Sequence, residues 1–293
     1  MFRKELLDLV RPEPSGHAGL VFISGVEREG MIMHGRVRSR SGANYEVKRG
    51  YLDLLESRGN ASKGASNFAN LTNFLPGAGR LYEPVWRVRS LNLLTGKRFS
   101  NQREVELIAE MVELDRSGAY LDLGCSSGLY TRGMSVLLDE LSGESEVIGI
   151  DISPSMLREA KGRSLADGTM PSFARADTHD LPFHDSSFVG VVCGGTLNEL
   201  GDPALALREC ARVLRPGGRM AIMGILRSER TRGIALQRLL STGGVRFFGR
   251  EELETLLQGT GFEVENVQVY GAVFFATAQR RYELPEIREP RGV

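Results

Sequence analysis

The chain has 293 residues, enough for one large core or for a medium core with a small appended domain. Basic and acidic side chains number 37 each, and the absence of a basic excess argues against a general nucleic-acid binder. Cys125, Cys193 and Cys210 lie far apart without a Cys-x-x-Cys pair, which argues against a disulfide framework or a zinc site. Without an apolar signal segment or a membrane-length apolar run, we expect a cytoplasmic protein.

The first part of the chain is predicted to hold a small β unit followed by a linker. Residues 1–58 contain short apolar alternations such as GLVFIS and NYEVKRGYLDLL, a pattern typical of short strands. Residues 59–66 read GNASKGAS, a linker composition. The pattern then becomes helical, and Ser100 is a plausible N-cap before EVELIAEMVELD. We therefore predict a linker and helical cap over residues 59–118.

Residues 119–282 alternate between strand-like and helix-like segments. AYLDLG, EVIGIDI, SFARAD, SSFVGVVCGG and RMAIMGIL predict strands, most of them followed by amphipathic helices. RPGG, just before the last of these, predicts a turn. This order predicts a doubly wound α/β fold with a parallel sheet, and FEVENVQVY and AVFFATAQR predict an antiparallel hairpin at its end. Residues 283–293 form a polar tail.

The stretch LDLGCSSG, at residues 121–128, predicts a ligand-binding turn between the first strand and helix of this region. Gly124 and Gly128 lack Cβ atoms where a cofactor would lie against the backbone, and Cys125 and Ser126 are small for the same reason. The spacing is GxxxG rather than the GxGxxG of dinucleotide sites. A carboxylate at Asp122 would repel a pyrophosphate but suits an ammonium-bearing ligand, which favours S-adenosylmethionine (SAM) over NAD.

Two further carboxylates end the next two predicted strands. Asp151 lies some twenty-odd residues beyond the turn, where an acid commonly accepts hydrogen bonds from ribose hydroxyls. Asp177 follows the third strand and can accept a hydrogen bond from an adenine amine. One acid at each of three successive strand ends is a more specific signal than the glycine turn alone.

Five motifs together resemble those of class I SAM-dependent methyltransferases of the ubiquinone/menaquinone-biosynthesis type (methyltransferase type 11). They are DLGCSSG, GIDISPSML, ADTHDLPF, SFVGVVCGGTLNEL and ECARVLRPGG, in the family's order, within a resemblance that covers about residues 70–280. The resemblance implies a Rossmann-like seven-stranded α/β core with a helical cap, SAM as cofactor and S-adenosylhomocysteine as product. One departure is Ser126, which stands where the family usually has a middle glycine.

The same resemblance implies roles for individual residues. Asp122 and the turn from Gly124 to Gly128 would face the methionine part of the cofactor, and Asp151 would bind the ribose. The other implied contacts are Ile152 and Met156 beside the adenine, Asp177 and Thr178 at its edge, Cys193 and Gly194 at the methionine end, and Tyr82 from the cap toward the carboxylate. No metal is implied.

Asn198 and Glu199 follow the fourth strand and would face the place where an acceptor meets the methyl group. Either side chain could orient the acceptor, and Glu199 could act as a base, whereas helix capping is the competing interpretation. The expected substrate is a small or lipophilic molecule that is methylated on oxygen or carbon. The sequence leaves the oligomeric state open.

The N-terminal segment carries a second, weaker resemblance. NYEVKRGYLDLLE is similar to the end of the zinc ribbon that precedes some methyltransferases, including bacterial rRNA guanine methyltransferases, but the ribbon's four cysteines are absent. We therefore predict a degenerate ribbon without zinc. Two other functions stay open: a catalytically inactive cofactor-binding partner subunit, and an rRNA or tRNA base methyltransferase that would use a basic strip at Arg36, Arg38, Arg40, Lys48 and Arg49.

Overall fold

A computed structural model describes residues 1–11, 19–55, 100–141, 145–229, 234–235, 237–238 and 241–283. The predicted linker and most of the predicted helical cap, with Tyr82, lie outside the described residues, as do residues 284–293 of the tail.

The N-terminal unit consists of antiparallel strands and one short helix. Its elements are β1 (Phe2–Arg3), a 3-10 helix (Lys4–Leu9), β2 (Val21–Arg28), β3 (Met31–Arg38), β4 (Asn44–Lys48) and β5 (Tyr51–Asp53). The predicted small β unit is therefore present in the structure.

The larger part alternates strands and helices in the predicted order. Helices α1 to α5 span Asn101–Met111, Leu129–Leu141, Pro154–Ala166, Pro203–Val213 and Arg250–Gly259, and a second 3-10 helix spans Thr196–Glu199. Strands β6 to β12 span Ala119–Leu123, Glu146–Asp151, Ser172–Arg175, Phe188–Gly194, Leu214–Ile225, Phe262–Tyr270 and Val273–Arg280.

Seven of these strands form the predicted core sheet, in the order β8-β7-β6-β9-β10-β12-β11. All neighbours from β8 to β10 are parallel, whereas β12 is antiparallel to both β10 and β11. The strand order reverses beside β6, and ligands of doubly wound sheets bind at such a switch point, at the carboxyl ends of the strands. The α/β fold class and the terminal hairpin are thus confirmed.

Local sequence signals explain where helices begin and end. The Ser153 hydroxyl accepts a hydrogen bond from the Met156 amide and caps α3, and Pro154 occupies the first turn. Ser100 caps α1 in the same way, as its hydroxyl accepts from the Arg103 amide at 3.1 Å. Gly261, at φ +102°, lies just beyond α5.

RPGG is one place where the structure differs from the sequence prediction. It lies inside β10 instead of preceding that strand as a separate turn. The pairing of β10 with β9 shifts register between Leu214 and Arg219, so the segment forms an irregularity within the strand. Such a bulge is where a strand tolerates proline and glycine.

The N-terminal unit joins the core sheet directly. Strand β5 pairs in parallel with β8, and Leu52 and Asp53 are the register partners of Ala174 and Arg175. All twelve strands of the described residues therefore form one sheet. One apolar cluster also spans the junction, because Phe2 and Val10 belong to the same buried cluster as Phe183.

Candidate cofactor-binding and active site

The carboxyl ends of the parallel strands bring most of the predicted site residues to one edge of the sheet. Residues within the strands are largely buried, but those at this edge are partly exposed. The partly exposed set comprises Gly124, Ser126, Asp151, Ile152, Arg175, Asp177, Thr178, Gly194, Gly195, Thr196 and Glu199. This edge is the candidate site.

The glycine turn after β6 has the backbone conformation that its sequence indicates. Gly124 and Gly128 have φ values of +66° and +80°, in the left-handed region. Ser126 also has a positive φ, +50°, so the serine stands in a conformation that glycine adopts more readily. A Cβ at Gly124 would overlap Thr196, whose hydroxyl donates a hydrogen bond to the Gly124 carbonyl at 3.2 Å.

Asp122 is almost fully buried at the end of β6, and its carboxylate caps the first turn of α2. One carboxylate oxygen accepts from the Thr131 amide at 3.0 Å and from the Thr131 hydroxyl at 2.6 Å. This carboxylate therefore occupies the helix N-terminus, the place where a dinucleotide site binds its pyrophosphate. Contact between Asp122 and the methionine part of a cofactor stays a prediction.

Asp151 connects the turns that follow β6 and β7. Its carboxylate accepts from the Ser126 amide and from the Ser153 amide, both at 2.8 Å. Burial raises the pKa of Asp151, and the amides of Ser153, Ser126 and Ile152 oppose this rise. Each carboxylate oxygen has two lone pairs, so the group can still accept hydrogen bonds from a diol.

The predicted adenine side is assembled around the turns after β7 and β8. Met156 is buried, and its sulfur lies 3.7 Å from the Ser126 hydroxyl, so the side chain reaches the glycine turn. Ile152 and Thr178 are partly exposed at the same edge. The Asp177 carboxylate accepts from the His179 amide and contacts the His179 ring, each at 2.9 Å, and this carboxylate raises the pKa of His179.

Cys193 and Gly194 end β9 beside the glycine turn. The ring of Tyr130 lies against Gly194, where a Cβ would overlap it, and the Tyr130 hydroxyl donates to the buried carboxylate of Glu104. Burial raises the pKa of Cys193 to about 12 and that of Cys125 well above its usual value. Neither thiol is therefore ionised near neutral pH, as a nucleophile would need to be.

Asn198 and Glu199 differ in what their side chains do. The buried Asn198 amide donates to the carbonyls of Ile225 and Arg246, at 2.9 and 2.6 Å, and accepts from the Ile225 amide at 2.8 Å. Two of these bonds hold the 3-10 helix to the end of β10 and the third holds it to the segment before α5, so the structure gives Asn198 a positioning role. Its contact with an acceptor stays a prediction.

Glu199 ends the second 3-10 helix at the candidate site. Burial raises the pKa of Glu199 to about 7, and the nearby negative charge of Asp151 contributes to the rise. The carboxyl group thus changes charge near neutral pH, which suits a general acid or base.

The sequence analysis missed two residues of this edge. Thr196 packs against the first glycine of the turn. Because it directly follows two glycines at the end of a strand, the sequence could have indicated a place at this edge. Arg175 ends β8, where its guanidinium donates to the Ile152 carbonyl at 3.1 Å and lies 3.5 Å from the Asp53 carboxylate. No local pattern relates residues 53 and 175, so this pair was not detectable from the sequence.

Phe247 and Phe248, which precede α5, are buried in the fold. Among the described residues, no group of three or more histidine, cysteine or acidic side chains is placed to hold a metal ion. No helix in the described part of the chain is long and apolar enough to cross a membrane.

Comparisons with known proteins agree with this geometry. The family described as "Methyltransferase domain" (Methyltransf_11) matches residues 121–222. The chain is 30% identical over 230 residues to 27-O-demethylrifamycin SV methyltransferase of Amycolatopsis mediterranei, with 75% of this chain and 81% of that protein covered. The chain belongs to the class I SAM-dependent methyltransferases. The predicted family and enzyme class are therefore confirmed.

Other relatives of this methyltransferase carry similar names. It is 29% identical over 165 residues to ubiquinone biosynthesis O-methyltransferase of Xanthomonas axonopodis pv. citri, covering 53% of this chain and 66% of that protein. Among solved structures, a putative methyltransferase from Bacillus halodurans matches with a TM-score of 0.53 at 15% identity, covering 61% of this chain and 99% of that one. The structural likeness shows the fold, and family membership implies SAM binding.

Proposed function

We propose that this methyltransferase transfers a methyl group from SAM to a hydroxyl oxygen of a small or lipophilic molecule. The observation that carries the proposal is Glu199, which ends the 3-10 helix after β9 and whose pKa is raised to about 7 by burial and by the negative charge of Asp151. A carboxylate with that pKa can take the hydroxyl proton at neutral pH as the acceptor oxygen is methylated.

The residues of the site fit SAM better than a dinucleotide. The Asp122 carboxylate caps the N-terminus of α2, and its negative charge disfavours a pyrophosphate there. Asp151 keeps lone pairs for the ribose hydroxyls, and the Gly124 turn and Gly194 would receive the methionine part. Gly195 has φ +85°, and a Cβ there would meet nothing within 4 Å, so the backbone borders open space.

When bound, SAM supplies an activated methyl group whose carbon–sulfur bond breaks as the acceptor oxygen bonds to the carbon. The protein's task is to align the acceptor and exclude water. Glu199 would accept the hydroxyl proton, leaving a neutral carboxylic acid and a methyl ether. Asn198 would hold the 3-10 helix that carries Glu199 in place.

The relatives support the choice of oxygen over carbon. One is named an O-methyltransferase, and the name of another, a 27-O-demethylrifamycin SV methyltransferase, gives it an O-demethylated substrate. Both names refer to organic molecules rather than nucleic acids. These are properties of the relatives, and for this chain they favour an alcohol or phenol of similar kind.

Calorimetric titration with SAM, S-adenosylhomocysteine and NAD tests the cofactor part of the proposal. We expect the first two ligands to bind, NAD not to bind, and Asp151→Ala to weaken both by at least tenfold, since the diol loses its acceptor. Glu209→Gln, which removes a partly buried carboxylate from α4, is the matched control. If neither adenosyl ligand binds, the proposal fails and an inactive partner subunit becomes the better interpretation.

Transfer of labelled methyl groups tests the acceptor part. A panel would contain a catechol, a hydroquinone, their methyl ethers without free hydroxyls, and structured RNA. We expect label in the hydroxyl compounds alone, with a loss of about 10²-fold or more in Glu199→Gln. Product analysis locates the label, and label on a ring carbon of the hydroxyl compounds instead of on oxygen would indicate a carbon acceptor.

Label in the RNA would favour the RNA alternative. Arg36, Arg38 and Arg40 are indeed exposed, but Glu46 is the register partner of Arg36 and lies 3.6 Å from Lys48. This acid interrupts the strip, so we propose that nucleic acid is not the substrate. A strong loss of RNA binding as salt is raised would contradict this part of the proposal.

A further inference from the structure

The N-terminal unit ends at the same edge of the sheet as the candidate cofactor site. Because β5 is parallel to β8, its carboxyl end points the same way as those of the core strands. In the register of the sheet, Asp53 on β5 is the partner of Arg175 on β8, and Arg175 is the partner of Asp151 on β7. An aspartate, an arginine and a second aspartate therefore lie side by side at the ends of three neighbouring strands.

Arg175 contacts Asp53 on one side and the turn that follows Asp151 on the other. Its Nη1 lies 3.5 Å from the Asp53 carboxylate, and its Nε donates to the Ile152 carbonyl at 3.1 Å. Ile152 directly follows Asp151 and belongs to the turn in which the Ser153 amide donates to the Asp151 carboxylate. The guanidinium therefore spans from the N-terminal unit to the turn that orients the predicted ribose acid.

The environment of Asp53 holds this ion pair in one geometry. The Asp53 side chain is 3% exposed, whereas that of Arg175 is 25% exposed. One Asp53 oxygen also accepts from the Leu55 amide at 3.2 Å, and the Leu54 amide donates to the Arg175 carbonyl at 3.1 Å. A buried carboxyl group held in this way restricts the rotamers open to the guanidinium.

A second contact attaches the N-terminal unit to the same region. Gly50, in the turn between β4 and β5, lies against the side chain of Lys161, where a Cβ would overlap it. Lys161 belongs to α3, the helix whose first turn contains Met156. The N-terminal unit thus contacts α3 directly, and through Arg175 it also reaches the turn between β7 and α3.

We propose that Asp53 is a positioning residue for the adenosyl half of the cofactor, acting through Arg175 on the turn that contains Asp151 and Ile152. This inference rests on the proposed function, because it requires SAM to bind at this edge. It assigns the N-terminal unit a part in cofactor binding, and it places the effect at the adenosine end rather than at the methionine end.

The test compares the affinities of S-adenosylhomocysteine and adenosine in variants of the full chain, with melting temperatures measured in parallel. We expect Asp53→Asn to weaken both ligands by the same factor, about fivefold to tenfold, since they share the adenosyl group. Arg175→Lys keeps the charge but loses the planar fork, so it should weaken both ligands similarly. The double variant should bind about as weakly as either single variant, because the two residues act in series.

Glu46→Gln is the matched control, because Glu46 on β4 is the register partner of Asp53, but its side chain is half exposed and, among the described residues, its ion pair is with Lys48 of the same strand. Affinities in Asp53→Asn and Arg175→Lys within twofold of this control would overturn the inference, whatever happens to the melting temperatures. A loss for S-adenosylhomocysteine without a loss for adenosine would overturn it too. Failure of the wild-type protein to bind either ligand would overturn the proposed function and the inference with it.

Discussion

Glu199 is the residue whose chemistry most directly links the structure to catalysis. Its raised pKa means that it is protonated below about pH 7 and negative above it. The sulfur of SAM is cationic, whereas that of S-adenosylhomocysteine is neutral, so only SAM should gain from the new negative charge. We expect the ratio of the two affinities to rise in favour of SAM by about threefold to tenfold between pH 6 and pH 8.

Calorimetry at several pH values measures this ratio. Because the sulfonium of SAM also lowers the pKa of its own amino group, the change is compared with that in Glu199→Gln, in which the part due to Glu199 should be absent. The variant should also be as stable as the wild type at pH 8 or more so. A carboxyl group with a pKa raised on folding destabilises the folded state as pH rises from about 4.5 to 7, and glutamine lacks that penalty. A wild-type ratio that does not change with pH would contradict our proposal that Glu199 lies beside the acceptor and the sulfur of bound SAM.

At the scale of elements, the second 3-10 helix is fixed mainly through Asn198. Asn198→Ala would leave the amide and carbonyl of Ile225 and the carbonyl of Arg246 without their side-chain partner. We expect the free energy of unfolding to fall by about 2–4 kcal/mol, because buried polar groups lose their hydrogen bonds. Urea unfolding measures the change.

Asn198→Asp separates the positioning role from a direct catalytic one. Aspartate can still accept from the Ile225 amide, but an ionised carboxylate would face two carbonyl oxygens, so we expect no recovery of stability. If Asn198 instead served only to orient an acceptor, both variants would unfold like the wild type and lose only turnover. That result would support the role predicted from the sequence, in which Asn198 orients the acceptor.

The elements themselves were largely predictable because their signals are local. The Ser153-Pro154 start of α3, the glycine turn after β6 and the alternation of strand and helix each depend on residues a few positions apart. RPGG was misassigned as a separate turn because the register of β10 against β9 is a property of the sheet. The contact of Thr196 with Gly124 and the bonds of Asn198 to Arg246 likewise join residues that no short pattern connects.

At the scale of the whole molecule, the sequence indicated a small β unit, a linker and a methyltransferase core. The composition of residues 59–66 marks a break in the pattern but does not reveal that β5, before the break, pairs with β8, more than a hundred residues later. Parallel pairing between two strands so far apart along the chain does not change the local sequence periodicity of either strand. For the same reason, the row formed by Asp53, Arg175 and Asp151 emerged only from the structure.

This continuity of the sheet predicts how the protein unfolds. Two separate domains would melt in two transitions, and only the core's transition would rise when S-adenosylhomocysteine is added. One sheet with a shared apolar cluster should instead melt in a single transition, whose calorimetric and van't Hoff enthalpies agree. Saturating S-adenosylhomocysteine should raise that single transition as a whole, since ligand binding stabilises every part that unfolds with the site.

Scanning calorimetry of the full chain, with and without ligand, distinguishes the two cases. Near-ultraviolet circular dichroism adds a second probe, because Tyr45 and Tyr51 lie in the N-terminal unit and Tyr120 and Tyr130 lie in the core. The N-terminal unit also covers the edge of β8, so removal of residues 1–55 would expose backbone donors and acceptors together with the apolar residues that pack there. We therefore expect the shortened chain to aggregate or to lose its cooperative transition. A soluble shortened chain that melts cooperatively and binds S-adenosylhomocysteine as tightly as the full chain would show instead that the core folds and binds its cofactor independently.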